Sequence, residues 1–284
     1  MLVAKHHDTP VSREVTPMKT HPTPTSLLRA LRRALAEAGA IHRRGAQRAI
    51  SISHKGLVDI VTTVDHAAEK KILQVLRGAF PDHGFLMEES GLHASSSGYR
   101  WVVDPLDGTV NFAHRMPISC VSIGLEKDGR VLMGGVYDPF RDEEFIAVRG
   151  RGATLNGTRI HVSSTGKLIN ALLVTGFPYD RTKKAAFYLS FVEKFMKKTQ
   201  GLRRLGAAAL DLAYVAAGRF DGYWEFNLKP WDAAAGQLLV EEAGGRVTNF
   251  RGRPYTLTDT SQTLASNGRL HGAMLRLLSL RQKK

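Results

Sequence analysis

The chain has one cysteine, Cys120, in 284 residues. An internal disulfide framework is therefore excluded, and the composition fits a reducing cytosol. No apolar run reaches membrane-spanning length and no secretory signal opens the sequence, so a cytoplasmic protein without membrane contact is expected. Internal repeats are missing, which excludes a solenoid. Clusters of Cys and His are missing as well, and with them the usual zinc sites. Acids are scarce beside bases: 26 Asp and Glu against 40 Lys and Arg leave a formal net charge of +14. Such a field would draw anionic substrates and could bind nucleic acid weakly, but no basic module interleaved with aromatics is present, so a generally basic background is the expected reading.

Residues 1–25 are rich in Thr, Pro, His and Lys without periodicity, and are expected to form a disordered basic tail. Asp8, Glu14 and the lack of an arginine-rich amphipathic pattern argue against a transit peptide. Ten Lys or Arg against three acids fall in residues 1–55, and further bases gather at Lys183, Lys184, Lys194, Lys197, Lys198, Arg203 and Arg204. The hydrophobic share, 43%, suffices for one substantial core split into two subdomains. Ser26 is predicted to cap a helix running to Ala49, with Leu27, Leu28, Leu31, Leu35 and Ile41 on its apolar face. Strands near Cys120, Gly134 and Phe145, with a turn at Asn156-Gly157, predict a mainly antiparallel sheet in an N-terminal α+β subdomain over 26–164. Beyond residue 165 strand and helix alternate (171–175, 185–197, an Ala-rich helix to 217, 223–226), which predicts a C-terminal α/β subdomain over 165–284.

The most informative stretch is Asp104-Pro105-Leu106-Asp107-Gly108-Thr109-Val110-Asn111-Phe112. Trp101-Val102-Val103 reads as a buried strand that delivers Asp104 to the rim of a sheet. Pro105 makes the chain turn, so both carboxylates can face one point with the Leu106 carbonyl between them. Oxygen-only ligation suits Mg²⁺ or Mn²⁺. Gly108 permits close backbone approach, and a helical turn starting here would offer N–H groups to a phosphate. Taken alone, this stretch fits a plain turn better than it fits a metal site, since such residues dominate turns. Glu88, in Phe85-Leu86-Met87-Glu88-Glu89-Ser90, follows another short strand and is a candidate for the same cation. Asp232, in Pro230-Trp231-Asp232-Ala233-Ala234-Ala235-Gly236, opens a small-residue helix, where a bare capping role also fits. Asp65, after Asp59-Ile60-Val61-Thr62-Thr63-Val64, precedes a helical pattern through Leu76 that Gly78 and Pro81 end.

Together these segments, in this order, resemble the inositol monophosphatase family from about Leu27 to the last helix. The resemblance implies a lithium-sensitive, Mg²⁺-dependent phosphomonoesterase of α+β class with layered αβαβα architecture. It further implies that Glu88, Asp104, the Leu106 carbonyl, Asp107 and Asp232 hold two or three Mg²⁺ ions, for which Mn²⁺ substitutes. Asp65 and Thr109 are similar to the family's water-orienting pair, with Glu88 beside them, and no covalent phosphoenzyme through Cys120 is needed. Glu225, seven residues before Asp232, looks like the family's polyol-binding glutamate, although as an isolated acid it also fits a turn. Asp107, Gly108, Thr109, Gly206, Ala207, Ala208 and Glu225 would line the substrate. Many relatives carry Ser or Thr where this chain has Ala207, which weakens the case for strict inositol preference.

The expected substrate is myo-inositol 1-phosphate or a related polyol or sugar phosphate. Sugar bisphosphate, histidinol phosphate and nucleotide phosphates are the neighbouring alternatives within the superfamily. Family members commonly form homodimers. The Leu202-Arg203-Arg204-Leu205-Gly206 and Ala209-Leu210-Asp211-Leu212-Ala213-Tyr214 segments look like the bacterial extragenic-suppressor branch, one member of which joins the transcription antitermination machinery. A second reading, contact with RNA or RNA polymerase and its factors, therefore stands beside the enzymatic one.

Overall fold

The computed structural model describes residues 22–49 and 51–279. Most of the expected tail lies outside these residues. Helix α1 (Pro24–Ala46) starts earlier than the sequence suggested. Its cap is Thr23, whose Oγ1 accepts the Ser26 N–H at 3.1 Å, while Pro24 takes a first-turn position where no N–H is needed. Ser26 instead donates its hydroxyl to the Thr23 carbonyl at 2.8 Å. The helix ends three residues before Ala49, with Gly45 weakening its last turn.

A hairpin of β1 (Ile52–His54) and β2 (Ile60–Thr62) leads into α2 (Thr63–Ala79). There follow β3 (Gly84–Met87), β4 (Gly91–His93), β5 (Tyr99–Asp107), the single turn α3 (Thr109–Ala113), β6 (Cys120–Lys127), β7 (Arg130–Asp138), β8 (Glu143–Val148), β9 (Gly152–Leu155) and β10 (Thr158–Ile160). The second half comprises β11 (Leu172–Thr175), α4 (Arg181–Met196), β12 (Gly201–Arg203), α5 (Ala208–Ala216), β13 (Gly222–Phe226), α6 (Pro230–Glu242), β14 (Arg246–Thr248), β15 (Gln262–Ser266) and α7 (His271–Leu278). An eight-stranded sheet has the order β10-β9-β8-β7-β6-β5-β3-β4 and is antiparallel except for the parallel pair β3 and β5. A five-stranded mixed sheet has the order β12-β11-β13-β15-β14.

Side-chain alternation sorts these elements into five layers. Trp101 and Val103 of β5 point to one face and pack with Leu31 and Leu35 of α1 and Ile72 and Leu76 of α2. Val102, between them, points to the other face and joins Leu210 of α5 and Leu238 and Leu239 of α6. The opposite side of α5 and α6 is covered by Val174, Tyr223 and Ala265 of the second sheet. Beyond that sheet, Trp224 and Leu264 bury Phe195 of α4 and Met274 of α7. The order helix, sheet, helix, sheet, helix is the expected αβαβα sandwich, and each large aliphatic side chain buried in it contributes about 1.5–3 kcal/mol. Close approach in the middle depends on small residues: a Cβ at Gly124 would lie 2.8 Å from that of Ala234, and one at Gly134 2.8 Å from the Ala235 Cα. Among the described residues, no helix is long and apolar enough to cross a membrane.

Candidate active site

Antiparallel pairing of β5 with β6 loses register between Asp104 and Asp107, where Pro105 has no N–H to give to the ladder. The resulting bulge turns both carboxylates inward. Asp104 is buried, with Oδ1 accepting the Leu106 N–H at 2.9 Å. Glu88 follows β3, the parallel neighbour of β5, and its N–H donates to the Val103 carbonyl at 3.1 Å, which brings it beside Asp104. Asp232 lies in the first turn of α6, Oδ2 accepting the Lys229 N–H at 2.7 Å. Asp107, at the end of β5, accepts the N–H groups of Ala208 (3.1 Å, Oδ1) and Ala209 (2.7 Å, Oδ2), and so caps the N-terminus of α5 from across the molecule.

These acids feel one another. Burial first, then the charges of Glu88, Asp107 and Asp232, hold Asp104 well above the usual carboxylate range. Asp232 is likewise held well above it by burial and by Asp107. Burial pushes Asp107 up to about 6 against the opposing N–H groups of α5, and pushes Glu88 up to about 7 against the attraction of Lys55. Four carboxyls from β3, β5 and α6 thus stand in a common field that favours a positive charge.

Asp65 and Thr109 meet beside them. The helical pattern opens before Asp65, not after it: Asp65 is the third residue of α2, where Oδ2 accepts both the N–H (2.9 Å) and the hydroxyl (2.5 Å) of Thr62 in a capping box. Its other oxygen, Oδ1, lies 3.0 Å from Thr109 Oγ1, which also stands 3.0 Å from the Leu106 carbonyl. Gly108, at φ +90°, turns the chain from β5 into α3, and a Cβ there would lie 2.8 Å from the Ile118 carbonyl.

On the far side, Glu225 is a buried residue of β13 and not a turn acid; its Oε2 accepts the Tyr223 hydroxyl at 2.5 Å. Burial pushes Glu225 up to about 7 against that hydrogen bond and Arg204. Gly206 is at φ +87°, Ala208 reaches Asp107 through its N–H, and Ala207 is fully buried, so its methyl packs behind the wall and does not face a ligand.

Three residues of this region carried no local signal in the sequence. Lys55, from the hairpin loop, places its ammonium 3.1 Å from Glu88 and 2.5 Å from Glu89. Asn111 donates its side-chain N–H groups to the carbonyls of Ile118 (2.9 Å) and Leu205 (2.8 Å), tying α3 to the loop before α5. Asp211, 1% exposed in α5, is held well above its usual range by burial and by Glu225, and its Oδ1 has no hydrogen-bond partner among the described residues. Only the pairing of distant segments reveals such roles; the Asn111 position in the Thr-x-Asn-Phe motif was the nearest thing to a hint.

Among the described residues, no three His, Cys, Asp or Glu side chains are arranged to hold one ion as they stand. Glu88 is engaged by Lys55, and Asp107 and Asp232 are turned onto backbone N–H groups. The donor set nonetheless suits a hard divalent cation, being all oxygen, buried and crowded enough that the charge of each acid disfavours ionisation of the others. Cavities of about 370 Å³, beside Arg33, Glu37 and Lys71, and about 310 Å³, beside Arg141, Arg203 and Tyr214, lie elsewhere. Charge marks the site here, and cavity size does not.

A family model described as the inositol monophosphatase family matches residues 24–283. The chain belongs to the inositol monophosphatase family. It is thus a phosphatase of a metal-dependent family, as the acid set led us to expect. Two curated relatives carry different names. The Nus factor SuhB of Pseudomonas aeruginosa is 46% identical over 250 residues, 86% of this chain and 92% of that protein. The inositol-1-monophosphatase of Synechocystis is 47% identical over 230 residues, 80% of each. Among solved structures, the extragenic suppressor protein suhB of Bartonella henselae superposes with a TM-score of 0.87 at 40% identity, covering 90% of this chain and 99% of that one. The inositol monophosphatase of Anabaena superposes with a TM-score of 0.81 at 43% identity, covering 89% and 95%.

Proposed function

We propose that this chain hydrolyses myo-inositol 1-phosphate or a related polyol or sugar phosphate, by direct in-line attack of water and with Mg²⁺ as cofactor. Glu88, Asp104, the Leu106 carbonyl, Asp107 and Asp232 would hold two or three ions, Mn²⁺ substituting. When bound, these ions supply charge neutralisation of the phosphate dianion and acidify the attacking water. The chain's own residues do the aiming. Thr109 gives its hydroxyl hydrogen to Asp65 Oδ1, and this leaves the lone pairs of the threonine oxygen free to accept a hydrogen bond from the water and align it. N–H groups at the start of α3, which follows the Gly108 turn and has no side-chain cap, would be offered to the phosphate oxygens. Glu225 accepts hydroxyls of the alcohol portion, and the buried Ala207 offers that portion no hydroxyl. The family likeness extends this reading to a lithium-sensitive, cytoplasmic homodimer whose two subdomains divide near residue 165.

The single observation that carries this reading is the burial of Asp104 among three other carboxyls, with the Asp65–Thr109 pair beside it. Asp104→Asn removes a charge while keeping the shape. It is expected to abolish Mg²⁺-dependent phosphate release with the thermal unfolding transition intact; retained turnover would rule out the acid cluster. A second reading is favoured by the net charge of +14 and by the relatives named Nus factor. It has the chain also contacting RNA or the transcription apparatus through its basic surface. The same Asp104→Asn protein tests it, since salt-sensitive RNA binding in a gel shift should survive the loss of catalysis.

A further inference from the structure

The bulge in β5 creates a bonding problem that α1 solves. Where the β5–β6 ladder breaks, the Pro105 carbonyl is buried and loses its place in the sheet. The imidazole of His42, 0% exposed in the penultimate turn of α1, supplies the partner: its Nε2 lies 2.8 Å from the Pro105 oxygen. A carbonyl only accepts, so Nε2 carries the hydrogen. The N–H at the other end of that same peptide unit belongs to Leu106 and donates to Asp104 Oδ1 at 2.9 Å. One rigid peptide plane therefore has the His42 ring on one edge and the Asp104 carboxylate on the other. The Leu106 side chain is fixed independently, packed with Val64 and Phe112 and against Ile41 and Ala46 of α1. The His42 ring itself rests on Phe112, with centroids 5.8 Å apart.

We propose that His42 is a positioning residue for Asp104, acting through the Pro105–Leu106 peptide, and so sets the geometry in which this carboxylate meets a divalent cation. The inference rests on the role given to Asp104 above. Without the Nε2 donor the buried carbonyl is left unpaired, and the plane tilts to find another partner. The Leu106 N–H then moves off Oδ1, and the carboxylate rotates.

Isosteres separate the hydrogen bond from mere packing. The amide nitrogen of Gln reaches the position of Nε2, that of Asn only the position of Nδ1, and Leu fills the space with no donor. Two readouts are needed: calorimetric titration of each protein with Mg²⁺ alone, and kcat and KM for myo-inositol 1-phosphate. His42→Leu and His42→Asn are expected to weaken Mg²⁺ binding and lower kcat by about tenfold, the scale seen when partners behind a metal ligand are lost, with KM near that of the wild type. His42→Gln should recover most of both. If His42→Leu does not fold, the Asn and Gln pair carries the comparison. Wild-type Mg²⁺ binding in the Leu or Asn protein, or Gln no better than Asn, overturns the proposal while leaving the enzymatic reading standing. A wild-type protein that neither binds Mg²⁺ nor releases phosphate overturns both.

Discussion

Glu225 owes its direction to two neighbours. The Tyr223 hydroxyl holds Oε2 from below, and Gly176 leaves the space that the carboxylate fills: a Cβ there would collide with Oε1, Oε2 and Cδ together. Gly176→Ala should therefore push the carboxylate aside and mimic Glu225→Ala. Both variants are expected to raise KM for a polyol phosphate several-fold more than for a small aryl phosphate; equal losses on the two substrates would remove Glu225 from the substrate wall. At this scale the sequence spoke clearly wherever chemistry was written into a short motif. Asp104, Asp107, Thr109 and Asp232 were legible only together: Pro105, Gly108 and Pro230 mark turns and caps, and the order of these segments along the chain carried the reading. Lys55, His42, Asp211 and Gly176 were silent, since each acts on a partner at least 14 residues distant and nothing local marks the pairing.

Elements are joined at the site by side chains that replace backbone pairing. The single turn α3 is too short to hold itself, and Asn111, 7% exposed, anchors it to the Ile118 and Leu205 carbonyls. Asn111→Ala leaves these acceptors unpaired. It should cost about 1–3 kcal/mol of stability, read as a lower urea midpoint. Because it frees the loop that carries Gly206 to Ala208, it should weaken aryl and polyol phosphates alike, in contrast to Glu225→Ala; a selective loss would contradict the tie. The elements themselves were largely readable: α5, α6, β11 and β13 fall within a few residues of where periodicity and Pro230 put them. What periodicity missed was order in space. The parallel pairing of β3 with β5, which sets Glu88 beside Asp104, joins strands with β4 lying between them in sequence, and no pattern within either strand encodes it. The start of α1 was misread for a related reason: Thr23 and Ser26 are both good caps, and Pro24 decides between them by fitting the first helical turn.

The whole molecule carries its site as stored electrostatic cost. Glu88 and Glu225 at about 7 and Asp107 at about 6 lie above the value near 4 that carboxylates have in an unfolded chain. For an acid raised in the folded state, the stabilising contribution is complete below the unfolded value and is lost as pH rises through the folded one. The buried His42 and His271, both pushed down to about 4 by burial, act in the opposite sense, but their effect is spent once pH exceeds the unfolded histidine value near 6.5. Between pH 6.5 and about 7.5, where Glu88 and Glu225 finish ionising, the acids are left to dominate, and Asp104 and Asp232, held well above their usual range, act in the same sense. With a chelator present, the melting temperature should therefore fall across that interval. Divalent ions bind the same carboxylates only when these are ionised, so Mg²⁺ competes with protons and stabilises the folded state by mass action. The rise in melting temperature on adding Mg²⁺ should accordingly grow from pH 6.5 to about pH 7.5 and shrink in Asp104→Asn. A Mg²⁺ effect independent of pH, or undiminished in that variant, would place the ion somewhere other than among these acids.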